Sequence, residues 1–241
     1  MRQTALRQRR QQREVRVASR GQGERAGLSR GLVLDAAVAL VDSDGLDGLS
    51  MRKLGAALGV EAMTLYHYLP NKAALLDGLV EWVVQHTSTA PAIAGDLSWD
   101  QMLRGYAQTL RATLLGHPGV LPLFFTRPAV TPQTLKAVED GLRVLTDAGF
   151  ALPRALDMIN TLNIFVVGHA MAEAGTAELT RRGDPGSASA LAQLDASDLP
   201  LVIEAARLAQ DPDDETRFLF GLDALLYGFA RWQEPSRTAP K

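Results

Sequence analysis

The chain has 241 residues, no cysteine and a net charge of −2 at pH 7. The absence of cysteine excludes disulfides, thiolate metal ligands and cysteine nucleophiles. The length is sufficient for a small domain followed by a larger one. The N-terminus is rich in arginine and has no apolar run of the kind found in secretory signals, so we expect a cytoplasmic protein.

The small net charge conceals two segments of opposite sign. Residues 1–30 contain nine arginines and two glutamates, a net charge of +7, whereas the remaining residues carry −9. Residues 1–27, the N-terminal arm, have almost no large apolar side chains, which predicts a disordered basic segment. Such an arm can lie in the minor groove of DNA, as homeodomain arms do. The alternatives are a solubilising tail or a misassigned start codon.

The segment LDGLSMRKLGAALGVEAMTLYHYLPNKAALL, residues 46–76, predicts two short helices joined by a tight turn. Ser50 can cap the first helix, and Gly59 can adopt the left-handed conformation that ends it. Gly55 has no side chain, so the second helix can cross closely there. The first helix has one apolar face, formed by Leu54, Ala57 and Leu58. This layout is typical of a helix-turn-helix, whose second helix enters the major groove.

The second helix of this pair carries aromatic and polar side chains on its outward face, with small or apolar ones at its start: Thr64, Tyr66, His67 and Tyr68, preceded by Ala62 and Met63. Hydroxyls can donate to phosphate oxygens, and methyl groups can contact thymine. Arg52 and Lys53 lie on the first helix, where DNA backbone contacts are expected. Asn71 can cap the next helix, and Lys72 at its start can hold a phosphate. The alternative is a helix pair that serves only for core packing, but exposed tyrosines favour a contact surface.

The run from Leu28 to Trp82 resembles the DNA-binding domain of the TetR family of repressors, most specifically in the string TLYHYLPNK after the glycine turn. The resemblance implies three helices, with the third in the major groove of a double-stranded DNA operator. A fourth helix, near Lys72–His86, would lead to a ligand domain. The resemblance assigns DNA contacts to Met51, Arg52, Ala62, Met63, Thr64, Tyr66, His67, Tyr68 and Lys72. Ala62 replaces a longer polar residue that is common in tetracycline repressors, so the operator sequence does not carry over.

The remainder of the chain predicts helices and no strands, at about residues 98–115, 132–149, 152–180, 199–210 and 211–232. A short apolar segment lies at 120–125, and residues 86–97 and 181–190 predict loops. The most apolar stretch, Leu156–Ala172, is interrupted by polar residues and is expected to be too short and too polar to span a bilayer. We therefore expect no membrane partner.

The resemblance extends more weakly through this part, as a tetracycline-repressor-like C-terminal domain, on residues such as Thr126-Arg127-Pro128 and Gly149-Phe150. It implies a homodimer in which helices 152–180 and 213–232 form a four-helix bundle with their mates. The apolar faces of these helices, which one subunit would struggle to cover, comprise Ile159, Leu162, Phe165, Val166, Phe218, Leu222, Leu225, Leu226 and Phe229. A twofold dimer would place two recognition helices one DNA turn apart on a palindrome.

The positions that contact tetracycline in the family differ in this chain. The magnesium-ligating histidine corresponds to Leu123, and other drug-contact positions correspond to Tyr106, Leu110, Gly141 and Ser88, so a magnesium–tetracycline effector is not expected. The resemblance implies instead an apolar, aromatic pocket for a hydrophobic small molecule, although packing is the simpler interpretation of each aromatic residue alone. The predicted lining is Trp82, Trp99, Tyr106, Leu110, Leu123, Phe124, Val138, Leu142 and Ile159. The predicted polar contacts are Arg127, Asn160, Asn163 and His169.

An enzyme is the competing class. The four histidines have no metal-ligand spacing, and no glycine-rich phosphate loop or catalytic triad is evident. We therefore expect no catalytic residues, no metal and no cofactor, and a third class, a ligand-independent architectural DNA-binding protein, stays open. The predicted fold class is all-α, with a three-helix helix-turn-helix DNA-binding domain at 28–86, a helical ligand-binding and dimerisation domain at 87–234, and a tail at 235–241.

Overall fold

The computed structural model describes residues 27–88, 97–127, 130–183, 199–208 and 214–233. The predictions made for residues 1–26, for most of the two loops and for the C-terminal tail lie outside this part. All regular elements within it are helical, as the sequence predicts. The chain divides into two compact units, which we call the N-terminal unit (to Trp82) and the C-terminal unit (from Val83), and the division falls inside one continuous helix.

The N-terminal unit contains α1 (Arg30–Gly48), α2 (Met51–Ala57), α3 (Ala62–Leu65) and the first part of α4 (Lys72–Ser88). Its core is formed by leucine and valine side chains from all four helices, among them Val33, Leu34, Val38, Leu54, Leu65, Leu75 and Leu79. α1 is broken at Gly45, whose φ of 71° is left-handed. Burial of these side chains provides the main stabilisation of a unit this small.

The local signals around α2 are confirmed. Ser50 Oγ accepts from the Lys53 amide at 3.2 Å, and Gly59 has a φ of 66°. A Cβ atom on Gly55 would lie 2.8 Å from the Val60 carbonyl oxygen, so the glycine permits the close approach of the following turn. The predicted apolar face is wrong at Ala57, which is exposed, because the packed side of α2 is the side that carries Leu54 and Gly55.

The C-terminal unit contains the rest of α4 and α5 (Trp99–Gly116), a 3₁₀ turn (Pro118–Val120), α6 (Leu123–Thr126), α7 (Pro132–Asp147), α8 (Leu152–Arg181), α9 (Pro200–Leu208) and α10 (Asp214–Ala230). α8 packs against α5, α7 and α10, and α10 also packs against α5. Thr131 caps α7 through its hydroxyl, and Gly149, with φ 94°, follows its end. α8 is therefore the central helix of this unit.

The two long helices differ from prediction in what they bury. The residues proposed to need a dimer mate include Leu162, Val166, Phe218, Leu222 and Leu226, all of which are buried within one chain. The prediction is wrong for these five, because α8, α10 and α5 pack their apolar faces on one another. Other apolar side chains on α8 and α10 are left exposed, notably Ile164 (71%) and Phe220 (77%).

The length and hydropathy of α8 differ from the expectation that this stretch is too short and too polar to span a bilayer. Its 30 residues include a window of mean hydropathy 1.2, which is long and apolar enough to cross a membrane by these two criteria alone. The core helix of a soluble protein meets the same criteria, and α8 packs against three helices of its own unit. Its polar residues Asn163 and Glu173 have partners on α5, so their polarity serves packing between helices.

Candidate nucleic-acid interface and regulatory domain

The helix that the sequence assigns to DNA recognition is short and firmly anchored. α3 has four residues and continues as hydrogen-bonded turns, in which the amides of Tyr68 and Leu69 both bond to the Leu65 carbonyl at 2.9 Å. The side chains of Leu65 and Leu69 are buried in the core. These two residues hold one side of the segment inward, and Tyr66 and His67 between them face outward.

The outward side forms what we call the α3 surface. Met63 is 70% exposed and Tyr66 is 41% exposed, and His67 is also exposed, whereas Ala62 and Thr64 are partly covered. A rigid backbone that presents methionine, hydroxyl and imidazole groups to solvent is suited to contact base edges and phosphates.

Two cationic residues flank this surface, and neither forms an ion pair with another of the described residues. Arg52 on α2 and Lys72 at the start of α4 are both exposed, and Asn71 Oδ1 caps α4 by accepting from the Ala74 amide at 2.8 Å. Lys53 differs, because its ammonium donates to Asp44 Oδ2 at 2.8 Å. This hydrogen bond holds the pKa of the Asp44 carboxyl below its ordinary value. A phosphate contact from Lys53 would therefore require that this exposed ion pair break.

Two residues assigned to DNA by resemblance have their side chains elsewhere. Met51, the first residue of α2, is only 8% exposed because its side chain packs in the core, and its assignment as a DNA contact stays a prediction. The Tyr68 hydroxyl donates to the Leu28 carbonyl at 3.0 Å and is partly buried. Its contact is with the backbone that precedes α1.

The structure also shows a link between α1 and α4 that the sequence did not reveal. The guanidinium of Arg30 makes a bidentate ion pair with the carboxylate of Glu81, which is fully buried. The distance from Arg30 Nη2 to Glu81 Oε2 is 3.0 Å. The Trp82 indole N–H donates to Asp35 Oδ1 at 2.7 Å. Trp82 was expected to line the effector pocket, but it is placed in the N-terminal unit with a partner on α1.

In the C-terminal unit, a predicted lining residue and a predicted polar contact of the pocket bond to each other across two helices. The Tyr106 hydroxyl of α5 donates to Asn163 Oδ1 of α8 at 2.7 Å, and burial raises the pKa of Tyr106 to about 12. The tyrosine is therefore a neutral donor at physiological pH. The pair satisfies two polar side chains between α5 and α8, as buried polar groups require.

A second polar group lies farther along the same two helices. Arg111 makes a bidentate ion pair with Glu173, with N–O distances of 3.0 and 2.9 Å, and its guanidinium lies 5.0 Å from the Phe218 ring of α10. His169 lies edge-on to Phe218, and its Nδ1 is 3.7 Å from Glu173 Oε2. Among the buried side-chain polar atoms of the described residues, only this nitrogen lacks a hydrogen bond.

The other predicted pocket residues differ in their burial. Leu110 and Leu123 are buried, whereas Asn160 is exposed, and the rest are partly buried: Trp99, Phe124, Arg127, Val138, Leu142 and Ile159. Trp99 packs edge-on against Phe150 with ring centroids 5.0 Å apart. An open groove of about 310 Å³ lies between α5 and α10, lined by Trp99, Asp100, Arg104, Asp223, Leu226, Tyr227 and Ala230. It shares only Trp99 with the predicted lining.

No group of three or more histidine, aspartate or glutamate side chains with metal-binding geometry occurs in the described ranges. The fold and the α3 surface together define a helix-turn-helix DNA-binding regulator with a separate helical domain.

Comparison with known proteins gives the family. Residues 33–79 match the model of bacterial regulatory proteins of the TetR family, and residues 91–232 match the tetracyclin repressor-like C-terminal domain. The chain belongs to the TetR family of transcriptional repressors, which are DNA-binding regulators with a ligand-binding C-terminal domain, and not enzymes. Homodimers and a cytoplasmic location are typical of this family.

Individual relatives agree. The chain is 37% identical over 207 residues to the tetracycline repressor protein class D of Escherichia coli, covering 85% of this chain and 90% of that one. It is 34% identical over 160 residues to the HTH-type transcriptional repressor DrrR1 of Streptomyces coeruleorubidus, covering 66% and 59%. A possible TetR family transcriptional regulator from Streptomyces coelicolor A3(2) has a similar structure, with a TM-score of 0.69, 31% identity and coverage of 84% and 99%.

Proposed function

We propose that this repressor binds a palindromic operator as a homodimer and is released from it by a hydrophobic small molecule other than magnesium–tetracycline. The observation that carries the proposal is the α3 surface, which places Met63, Tyr66 and His67 outward on a segment held by two buried leucines. Direct contacts from these side chains would specify bases, while Arg52 and Lys72 would position the protein on phosphates.

The dimer is supported by the apolar side chains that α8 and α10 leave exposed. Ile164 and Phe220 are both more than two-thirds exposed, and Leu156 and Tyr227 are exposed on the same two helices. Exposed large apolar groups on two long helices favour an interface with a second copy. Twofold symmetry would then match an inverted repeat with half-sites about one turn apart.

The proposed effector class follows from the side chains at the predicted pocket positions. Leu123, at the position of the family's metal-binding histidine, is buried and has no ligating atom. A Cβ on Gly141 would lie 3.3 Å from Ile159, so α7 and α8 are close at another drug-contact position. These features favour an apolar ligand over a metal chelate. Tetracycline repressors are nevertheless among the relatives, so magnesium–tetracycline must be tested directly.

Release would require that the effector bind the released conformation more tightly than the DNA-bound one. α4 is one continuous helix shared by the two units, so a change in the C-terminal unit can alter the spacing of the two DNA-binding units of a dimer. The N-terminal arm, whose sequence is strongly basic, would add sequence-independent affinity in the minor groove.

The experiment that tests this function is selection of binding sites from a random duplex library, followed by footprinting. We expect an inverted repeat with two protected half-sites. Tyr66→Ala and Lys72→Ala are expected to weaken binding to that duplex by about tenfold each, as loss of a good contact predicts. Lys136→Ala, which removes an exposed lysine on α7 paired with Asp140, is the matched control. Uniform protection without a discrete site would indicate an architectural protein instead.

The effector proposal has its own test on the selected duplex. Tetracycline with Mg²⁺ is expected to leave the gel shift unchanged at concentrations that release a tetracycline repressor. Release by magnesium–tetracycline, reversed by EDTA, would contradict the proposed class of effector. A hydrophobic compound that binds the C-terminal unit without changing operator affinity would contradict the release mechanism.

A further inference from the structure

Two polar contacts join α1 to α4 within the N-terminal unit, and we call them the α1–α4 clamp. Arg30 forms a bidentate ion pair with Glu81, and Asp35 Oδ1 accepts from the Trp82 indole N–H at 2.7 Å. Residues 81 and 82 are the last two of this unit, and α4 continues beyond them to Ser88. The clamp therefore holds α4 at the point where it leaves the DNA-binding unit.

The same two helices approach each other closely one turn earlier on α4. A Cβ atom on Gly78 would lie 2.7 Å from Leu34 Cδ2, and Leu34 is buried, so its side chain has little room to move aside. A larger residue at this position would push α1 and α4 apart. Gly78 thus sets the distance between the helices, and the clamp sets the direction in which α4 continues.

The ion pair is better explained by its geometry than by its contribution to stability. The Glu81 side chain is 1% exposed and that of Arg30 is 37% exposed, so folding removes the carboxylate from water. A buried ion pair often adds nothing to stability relative to apolar side chains of similar volume. Two parallel hydrogen bonds between a guanidinium and a carboxylate do, however, fix the relative orientation of the helices that carry them.

The direction of α4 matters for operator binding because the α3 surface shares one core with α1 and α4. A dimer reaches two half-sites only if its two recognition surfaces have the separation of those half-sites. A loose joint between α1 and α4 would let this separation vary. Operators with different spacings would then bind with similar affinity.

We propose that Arg30 and Glu81 are positioning residues that make the repressor selective for one half-site spacing, by fixing the direction of α4 relative to α1. They act through the orientation of the whole DNA-binding unit and make no contact with bases. The inference rests on the proposed function, since it requires a dimer that binds an inverted repeat.

The test compares the parent chain with the Arg30→Met/Glu81→Leu double variant on four DNA duplexes. These are the operator selected with the parent, the same duplex with one base pair inserted or with one removed between its half-sites, and a duplex with a single half-site. The double variant replaces the ion pair by apolar side chains of similar size, which preserves the fold but removes the two directional hydrogen bonds. Fluorescence anisotropy of labelled DNA gives the four affinities.

The expected difference lies in the ratios between these affinities. For the parent, either change of spacing should lower affinity by about tenfold or more, because both half-sites no longer bind together. For the double variant, the same changes should lower affinity by about threefold or less, because α4 can then adopt a range of directions. Affinity for the single half-site should agree between the two chains within about twofold, since the base-contacting side chains are unchanged.

Asp44→Asn is the matched control, since it breaks an ion pair with Lys53 that joins α1 to α2 and not to α4. It is expected to change affinity for all four duplexes by one common factor. Trp82→Phe removes the other hydrogen bond of the clamp and should also reduce the dependence on spacing. It serves as the second variant if the double variant lowers the thermal midpoint of the N-terminal unit.

Two results would overturn the inference. If both clamp variants depend on spacing as steeply as the parent, the clamp does not set the spacing. If affinity for the operator and for the single half-site falls by the same factor, the ion pair contacts DNA or only supports the fold. Failure of the parent to select any inverted repeat is a distinct outcome, which would refute the proposed function and with it this inference.

Discussion

The two units of this protein differ in where their predicted functional side chains lie. In the N-terminal unit, Met63, Tyr66 and His67 face solvent on a short segment that two leucines hold in place. In the C-terminal unit, Tyr106 and Asn163 bond to each other between two helices. A DNA surface can be assembled from neighbouring residues, whereas an effector site must be assembled from helices distant in sequence, and its polar groups need partners when no ligand is bound.

The largest expected effect comes from disrupting the proposed dimer interface of the C-terminal unit, because operator binding by two N-terminal units depends on it. Phe220→Asp or Ile164→Asp would place a charge on the exposed apolar face of α10 or α8 and prevent dimerisation. Operator affinity should fall by about 100-fold or more, because the second half-site no longer binds intramolecularly. Sedimentation velocity should show a monomer. Leu135→Asp, which replaces an exposed leucine on α7, should leave both dimerisation and operator affinity intact.

The next prediction compares the unfolding free energy that is lost when one ion pair is broken in each unit. Glu173→Ala leaves Arg111 with only 15% of its side chain exposed and without its carboxylate partner, so unfolding free energy should fall by about 3 kcal/mol. Glu81→Ala leaves Arg30 with 37% exposure, so water can solvate it and the loss should be about 1–2 kcal/mol. Urea denaturation of both variants checks the order, and a larger loss for Glu81→Ala would contradict it.

A pair of glycine substitutions separates backbone strain from helix propensity. Gly59→Ala should destabilise the N-terminal unit by about 1–2 kcal/mol, because alanine is strained at a φ of 66°. Gly175→Ala in α8 meets no atom within 4 Å and should stabilise the C-terminal unit by up to about 1 kcal/mol. The thermal midpoints of the two variants should shift in opposite directions. Shifts in the same direction would refute the roles assigned to these two glycines.

The smallest effect is a pH dependence in the C-terminal unit. The pKa of Tyr106 is raised to about 12, above the unfolded value of 10, so folding favours the neutral phenol. This contribution is complete below pH 10 and is lost as the pH rises from 10 through 12. Tyr106→Phe should therefore show a smaller loss of stability between pH 9 and 11 than the parent. Tyr227→Phe, at an exposed position, should behave like the parent.

Local features of the fold could be predicted from the sequence because each depends on few adjacent residues. Ser50 and Asn71 cap helices as expected, and Gly59 has the positive φ that ends α2. Contacts across the chain could not be predicted in this way. Arg30 and Glu81 are 51 residues apart, and nothing in their spacing indicates an ion pair.

The same limit explains the site residues. Met51 and Tyr68 belong to a motif that implies DNA contact, but which side of a short helix is buried depends on packing by α1 and the turn before it. The position of Trp82 in the sequence indicated a pocket residue, but its indole N–H donates to Asp35 on α1. The sequence also did not show which apolar side of α8 and α10 packs inside the subunit, because each of these helices carries apolar side chains on two sides.

The central claim is that two α3 surfaces in a dimer contact two half-sites one turn apart. The most direct measurement is the affinity for the selected operator and for the same duplex with a half-turn of DNA, about five base pairs, inserted between its half-sites. The account predicts a loss of about 100-fold on insertion, because the second surface then faces the opposite side of the duplex. An affinity unchanged by the insertion would contradict it.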